Sequence, residues 1–71
     1  MSEQWWAIEV LREDGTPYKR RRYYLEVGGS SANVLWATMY RARDEMVSQA
    51  YAEHMTHCQC RWVPVTIGEA T

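Results

Sequence analysis

The chain has 71 residues, a formal net charge of −1, and an aromatic content of four Trp and five Tyr with no Phe. This length predicts one domain over residues 1–71, with a small core and little room for the supporting layers of an enzyme pocket. The net charge excludes a generic polycation, so an electrostatic partner is expected to bind at one place on the surface.

Neither an export signal nor a membrane-spanning segment is evident, because no apolar stretch is long enough for either. Cys58 and Cys60 are the only cysteines, and a bridge between such near neighbours would be strained. We therefore expect reduced thiols, a cytoplasmic protein, no membrane partner and no cofactor.

Residues 5–12 alternate in polarity and predict a first strand. Trp6, Ile8 and Val10 would face the core, and Trp5, Ala7 and Glu9 would share the opposite face. Residues 14–17 read Asp-Gly-Thr-Pro, which is strong turn chemistry.

A second strand is predicted over residues 18–27, with Tyr23 on its buried side. A four-residue loop would set Ile8 opposite Tyr23 and Glu9 opposite Arg22. A two-residue loop would preserve the same faces.

Two glycines at 28 and 29 break the pattern, and Ser30 or Ser31 offers an N-cap for a long helix over residues 32 to about 53. Apolar residues recur at helical spacing along this stretch: Leu35, Met39, Ala42, Met46 and Ala50. A last strand is predicted over residues 60–67, where Pro64 indicates an edge or a bulge.

These elements predict an α+β fold: a three-stranded antiparallel sheet (β-β-α-β, order 2-1-3) with one long helix packed on one face. Residues 68–71 are expected to form a loose tail.

A basic run is the most informative stretch: Lys19, Arg20, Arg21 and Arg22. Four consecutive cations do nothing for a core, so they are expected to meet phosphate or an acidic protein surface. The strand pattern places Arg20, Arg22 and Tyr24 on the uncovered sheet face beside Trp5, joined by Trp62. This basic-aromatic face is the predicted site for a protein partner or for nucleic acid. It could equally be a homodimer interface, or an ordinary solvated face with Glu9 paired to Arg22.

A second cluster gathers four possible zinc ligands: His54, His57, Cys58 and Cys60. Four donors on one continuous segment can rarely all point at a single centre, so no metal site is predicted, although a zinc-bound structural homodimer stays an alternative. The same side chains are the only candidates for catalysis. Because no oxyanion hole, phosphate loop or carboxylate pair accompanies them, we expect no enzymatic activity.

The layout of strand pair, glycines, cap, helix and closing strand, with Trp5-Trp6-Ala7-Ile8-Glu9-Val10 and Ser30-Ser31-Ala32, resembles small phage-encoded accessory proteins of the anti-CRISPR type. The resemblance covers the whole chain and is one of size and architecture. It implies a non-enzymatic inhibitor that binds a host protein or ribonucleoprotein complex in the cytoplasm of a bacterial host. Such inhibitors often use acidic surfaces, whereas the prominent patch here is basic.

Taken together, the expected function is that of a small phage or mobile-element binding protein that inhibits or modulates a host nucleic-acid-handling complex. The alternatives are direct, weakly sequence-specific binding of DNA or RNA, and the zinc-bound homodimer.

Overall fold

The computed structural model describes residues 3–67, so the expected tail at 68–71 lies outside the described residues. The elements run in the order β1 (Glu3–Leu11), β2 (Pro17–Tyr24), β3 (Ser30–Ser31), a 3₁₀ turn (Val34–Trp36), a π-helical turn (Glu45–Gln49), α1 (Ala50–Thr56) and β4 (Cys60–Ile67). Within residues 3–67 no helix has the length and apolar character that crossing a membrane requires.

The sheet is four-stranded, with antiparallel neighbours in the order β3-β2-β1-β4. The prediction of a three-stranded sheet with one long helix is therefore wrong. The additional strand is Ser30–Ser31, which pairs with Tyr24 and Tyr23 of β2. Two glycines with positive φ, Gly28 at 132° and Gly29 at 81°, turn the chain back so that these serines reach the sheet.

The helix begins far later than residue 32 and is short. Residues 38–40 instead run beside the sheet: the Thr38 N–H donates to Tyr24 O at 3.1 Å, and Trp6 and Tyr40 exchange both backbone hydrogen bonds. Helical structure starts after Asp44, whose carboxylate accepts from the Val47 N–H at 3.0 Å as an N-cap does.

The core lies between α1 and one face of the sheet. Ile8 and Val10 of β1 and Ala52 of α1 are buried there with Tyr24, Cys60 and Trp62. Tyr40 meets Trp62 edge to face, with ring centroids 5.3 Å apart, a geometry that aromatic pairs prefer.

Strand β2 is interrupted where the basic run lies. Val10 faces Arg22, but the next residue of β1, Leu11, faces Pro17. Residues 18–21 consequently have no facing partner in β1 and form a large bulge, and a bulge redirects the side chains of its strand.

Strand β4 forms one edge of the sheet, and Pro64 lies on its outward side. The backbone N–H and C=O of Trp6 both bond to Tyr40, on the side of β1 away from β4. Pro64 faces Trp6 on the β4 side, so the two residues form a non-hydrogen-bonded pair and the backbone N and C=O of Pro64 point away from β1. The sequence-based placement of Pro64 at an edge is confirmed. Because proline has no N–H, this position blunts the edge against further strand pairing.

Candidate anion-binding face

The second face of the sheet, opposite the core, carries a row of polar side chains across three strands. In this row Glu9 of β1 stands between Tyr23 of β2 and Arg61 of β4. Successive side chains of a strand point to opposite faces, so these three lie away from Ile8 and Val10. Among the described residues no α-helix packs on this face.

Glu9 is an acidic side chain with no solvent exposure. Both Nε and Nη2 of Arg61 lie 2.8 Å from its Oε1. Arg21 Nε lies 3.8 Å from Oε2, which accepts no hydrogen bond from the residues that the structure describes. One buried carboxylate therefore holds two guanidinium groups that are themselves about half exposed, at 47% for Arg61 and 59% for Arg21.

A third arginine lies farther along the same face. The guanidinium carbon of Arg41 lies 4.7 Å from the centroid of the Trp5 ring, within the range of a cation–π contact. Trp5 precedes Glu9 by four residues in β1, so both side chains point to the second face. We call this surface the arginine face and define it by Trp5, Glu9, Arg21, Tyr23, Arg41, Arg61, Val63 and Val65.

The predicted basic-aromatic face has a different membership in the structure. Tyr24 and Trp62 lie in the core, with 2% and 9% of their surface exposed. Arg22 also points to the core side, where its Nε donates to Ser30 Oγ at 2.7 Å and its Nη2 donates to Ser30 O at 2.8 Å. Of the residues that the sequence placed on this face, Trp5, Ala7 and Glu9 are there.

The rest of the basic run divides at the bulge. Lys19 and Arg20 are exposed within it, and Arg21 turns toward Glu9. The expected pairing of Glu9 with Arg22 is wrong, because the register sets Glu9 opposite Tyr23. A shift of one residue moves every side chain of a strand to the other face, so Arg21 and Tyr23 take the places predicted for Arg20, Arg22 and Tyr24.

Sequence reasoning missed Arg41 and Arg61. The signal that could have found Arg61 is Glu9 itself, since an acidic residue between apolar neighbours of a strand requires a cation across the ladder. Arg61 stands in the closing strand at the matching position. No sequence pattern near Arg41 predicts its contact with Trp5, because that contact depends on the path of the segment after the 3₁₀ turn.

The His54 to Cys60 segment does not assemble a metal site. Within the described residues no group of three or more His, Cys, Asp or Glu side chains could hold a metal ion. Both cysteines are free. Burial raises the pKa of the Cys60 thiol to about 11, so Cys60 is a poor nucleophile at neutral pH.

Comparison with protein-family models, with curated proteins and with solved structures finds no match to this chain.

Proposed function

We propose that this chain is a non-enzymatic cytoplasmic binding protein that holds an anionic partner against the arginine face. The observation that carries the proposal is that Arg21, Arg41 and Arg61 share one sheet face, two of them anchored by the buried carboxylate of Glu9. The two free cysteines agree with a reducing compartment.

The geometry favours binding because the cations are held in place and remain accessible. A guanidinium group is planar, always charged, and suited to bidentate contact with phosphate or carboxylate. Two contacts of 2.8 Å to Glu9 position Arg61, so less side-chain entropy is lost when Arg61 binds a ligand. Arg21 has a longer ion pair with the same carboxylate, at 3.8 Å. The three arginines and one glutamate give this face a formal charge of +2, although the whole chain carries −1.

A second candidate is inhibition or modulation of a host nucleic-acid-handling complex through contact with its protein surface. Large apolar side chains that no neighbour covers favour it, and aromatic anchors of this kind often dominate protein interfaces. These side chains are Leu35, Trp36, Met46 and Val47, with Trp36 74% exposed.

Heparin affinity tests the first proposal, since heparin is a general polyanion. We expect the double variant Arg21→Gln/Arg41→Gln to elute at lower salt than the wild-type protein. The matched control is Arg12→Gln/Arg43→Gln, which removes the same charge elsewhere; Arg43 lies over Trp6 much as Arg41 lies over Trp5. Equal elution of the two double variants would show that net charge, and not this face, determines retention.

A further inference from the structure

A groove of about 470 Å³ crosses the arginine face beside the Glu9 ion pairs and opens to solvent. Its lining includes Arg21, Tyr23, Val34, Val63 and Val65. It lies between the 3₁₀ turn and β4, and its volume is within the range of small-ligand sites.

The lining specifies the chemistry of an occupant. Arg21 offers one cation, Tyr23 offers one aromatic ring, and the three valines are apolar. An occupant that satisfies all three features has a flat, weakly polar body next to an anionic group. A nucleotide has both, because every base presents a π-face that can stack on an aromatic side chain and each carries a phosphate. A run of acidic residues would supply the negative charge but would leave the three valines of the groove without an apolar contact.

A second cation and ring extend the pattern along the face. Trp5, whose ring contacts the Arg41 guanidinium, lies four residues from Glu9 in β1. Four residues of an antiparallel strand span about 14 Å. Two pairs of arginine and aromatic ring therefore stand at the two ends of one sheet face. This repetition suits a polymer of nucleotides better than a single one.

We infer that the arginine face binds single-stranded nucleic acid. One base lies against Tyr23 in the groove, and the backbone phosphates contact Arg21 and Arg41. Glu9 is a positioning residue that holds Arg21 and Arg61 toward the strand. This inference rests on the proposed function and names the partner of that same face.

Fluorescence anisotropy with fluorescein-labelled dT10 and rU10 tests the inference on the full chain. Stacking of one base on an aromatic side chain raises affinity at least about fivefold. We therefore expect Tyr23→Ala to weaken binding by at least about this factor. Tyr51→Ala is the matched control, because Tyr51 is a half-exposed tyrosine on α1. Circular dichroism verifies that both variants are folded, and Tyr23→Phe, which keeps the ring, should bind like the wild-type protein.

Salt dependence gives a second readout. Each phosphate neutralised on a single strand contributes about −0.7 to the log–log slope of affinity against salt. Arg21→Gln/Arg41→Gln should therefore lower the magnitude of the slope by about 1.4, and Arg12→Gln/Arg43→Gln should leave it unchanged.

Each remaining outcome overturns a distinct statement. Equal binding by the Tyr23→Ala and wild-type proteins would overturn the base site. Suppose that heparin retention depends on the arginine face while neither oligonucleotide binds, or while a glutamate decamer competes for the face more strongly than the oligonucleotides do. Either result would overturn nucleic acid as the partner and leave the proposed function standing. Heparin retention that is the same in both arginine double variants would overturn the proposed function as well.

Discussion

Replacing Arg61 by Met should destabilise the protein more than replacing Arg61 and Glu9 together. The Arg61→Met change leaves the fully buried Glu9 carboxylate with Arg21 alone, whose Nε lies 3.8 Å from Oε2. Leaving a buried charge without its partner costs about 3–5 kcal/mol. Because Arg21 stays close and Arg61 is 47% exposed, we expect the lower end of that range, about 3 kcal/mol.

The double variant Glu9→Met/Arg61→Met removes both charges and keeps similar side-chain volumes. Replacing a buried ion pair by apolar residues is often neutral, so its stability should lie within about 1 kcal/mol of the wild-type value. Glu9→Met alone leaves two half-exposed cations that water can solvate, and should cost about 1 kcal/mol. The two single changes together cost about 4 kcal/mol and the double variant about zero, so the cycle predicts a coupling energy of about 3–5 kcal/mol.

Urea unfolding followed by circular dichroism measures these differences. A domain of this size has a free energy of unfolding of about 4–11 kcal/mol, so Arg61→Met should remove a large share of the stability. The double variant should regain most of the stability that Arg61→Met loses. Arg12→Met controls for the loss of an exposed arginine and should change stability by less than about 0.5 kcal/mol. An Arg61→Met variant within 1 kcal/mol of the wild-type protein, or a double variant less stable than Arg61→Met, would refute the reasoning.

Two further predictions concern the end of α1 and the start of β4. Burial raises the pKa of the Cys60 thiol from 9.0 to about 11, so the unfolded chain loses this proton first and stability should fall as pH rises from 9 to 11. Urea unfolding at several pH values should show that the Cys60→Ala variant loses less stability between pH 9 and 10 than the wild-type protein. Equal losses in the two proteins would contradict the burial of Cys60 as the cause. His57 ends the helix in the left-handed region, at φ 56° and ψ 28°, so His57→Gly should raise the free energy of unfolding by about 0.5 kcal/mol. Thermal unfolding checks this, and His57→Ala should be less stable than His57→Gly.

The strands β1 and β4 could be predicted because their signals are local. The alternation of Trp6, Ile8 and Val10 identifies β1 and its buried side, and both are confirmed. The strand at residues 60–67 is confirmed with the bounds that the sequence suggested.

The long helix could not be excluded from local patterns. Residues 32–44 carry apolar side chains at helical spacing, yet Leu35 and Trp36 are mostly exposed. Their conformation is decided by a distant contact, since Tyr40 pairs with Trp6 beyond the end of β2. β-Branched and aromatic residues also have low helix propensity, and Val34, Trp36 and Thr38 belong to these classes.

The membership of the second sheet face could be predicted only in part. The positions of Trp5, Ala7 and Glu9 on this face follow from the alternation of β1, and Arg41 contacts Trp5 there. The members from β2 were wrong by one residue because a regular hairpin was assumed. The bulge at residues 18–21 changes the register, and no residue type within it signals that length.

The bulge also has a consequence for how the gene can vary. If residues 18–21 were deleted as a unit, Pro17 would join Arg22, and Leu11 and Val10 would face consecutive residues as in a regular hairpin. Such a deletion would keep the register of the pairing on both sides, but it would also remove Tyr18, which packs against the core. Substitutions at Lys19 and Arg20, which are exposed within the bulge, can therefore change the charge of this part of the surface without changing the pairing of the sheet.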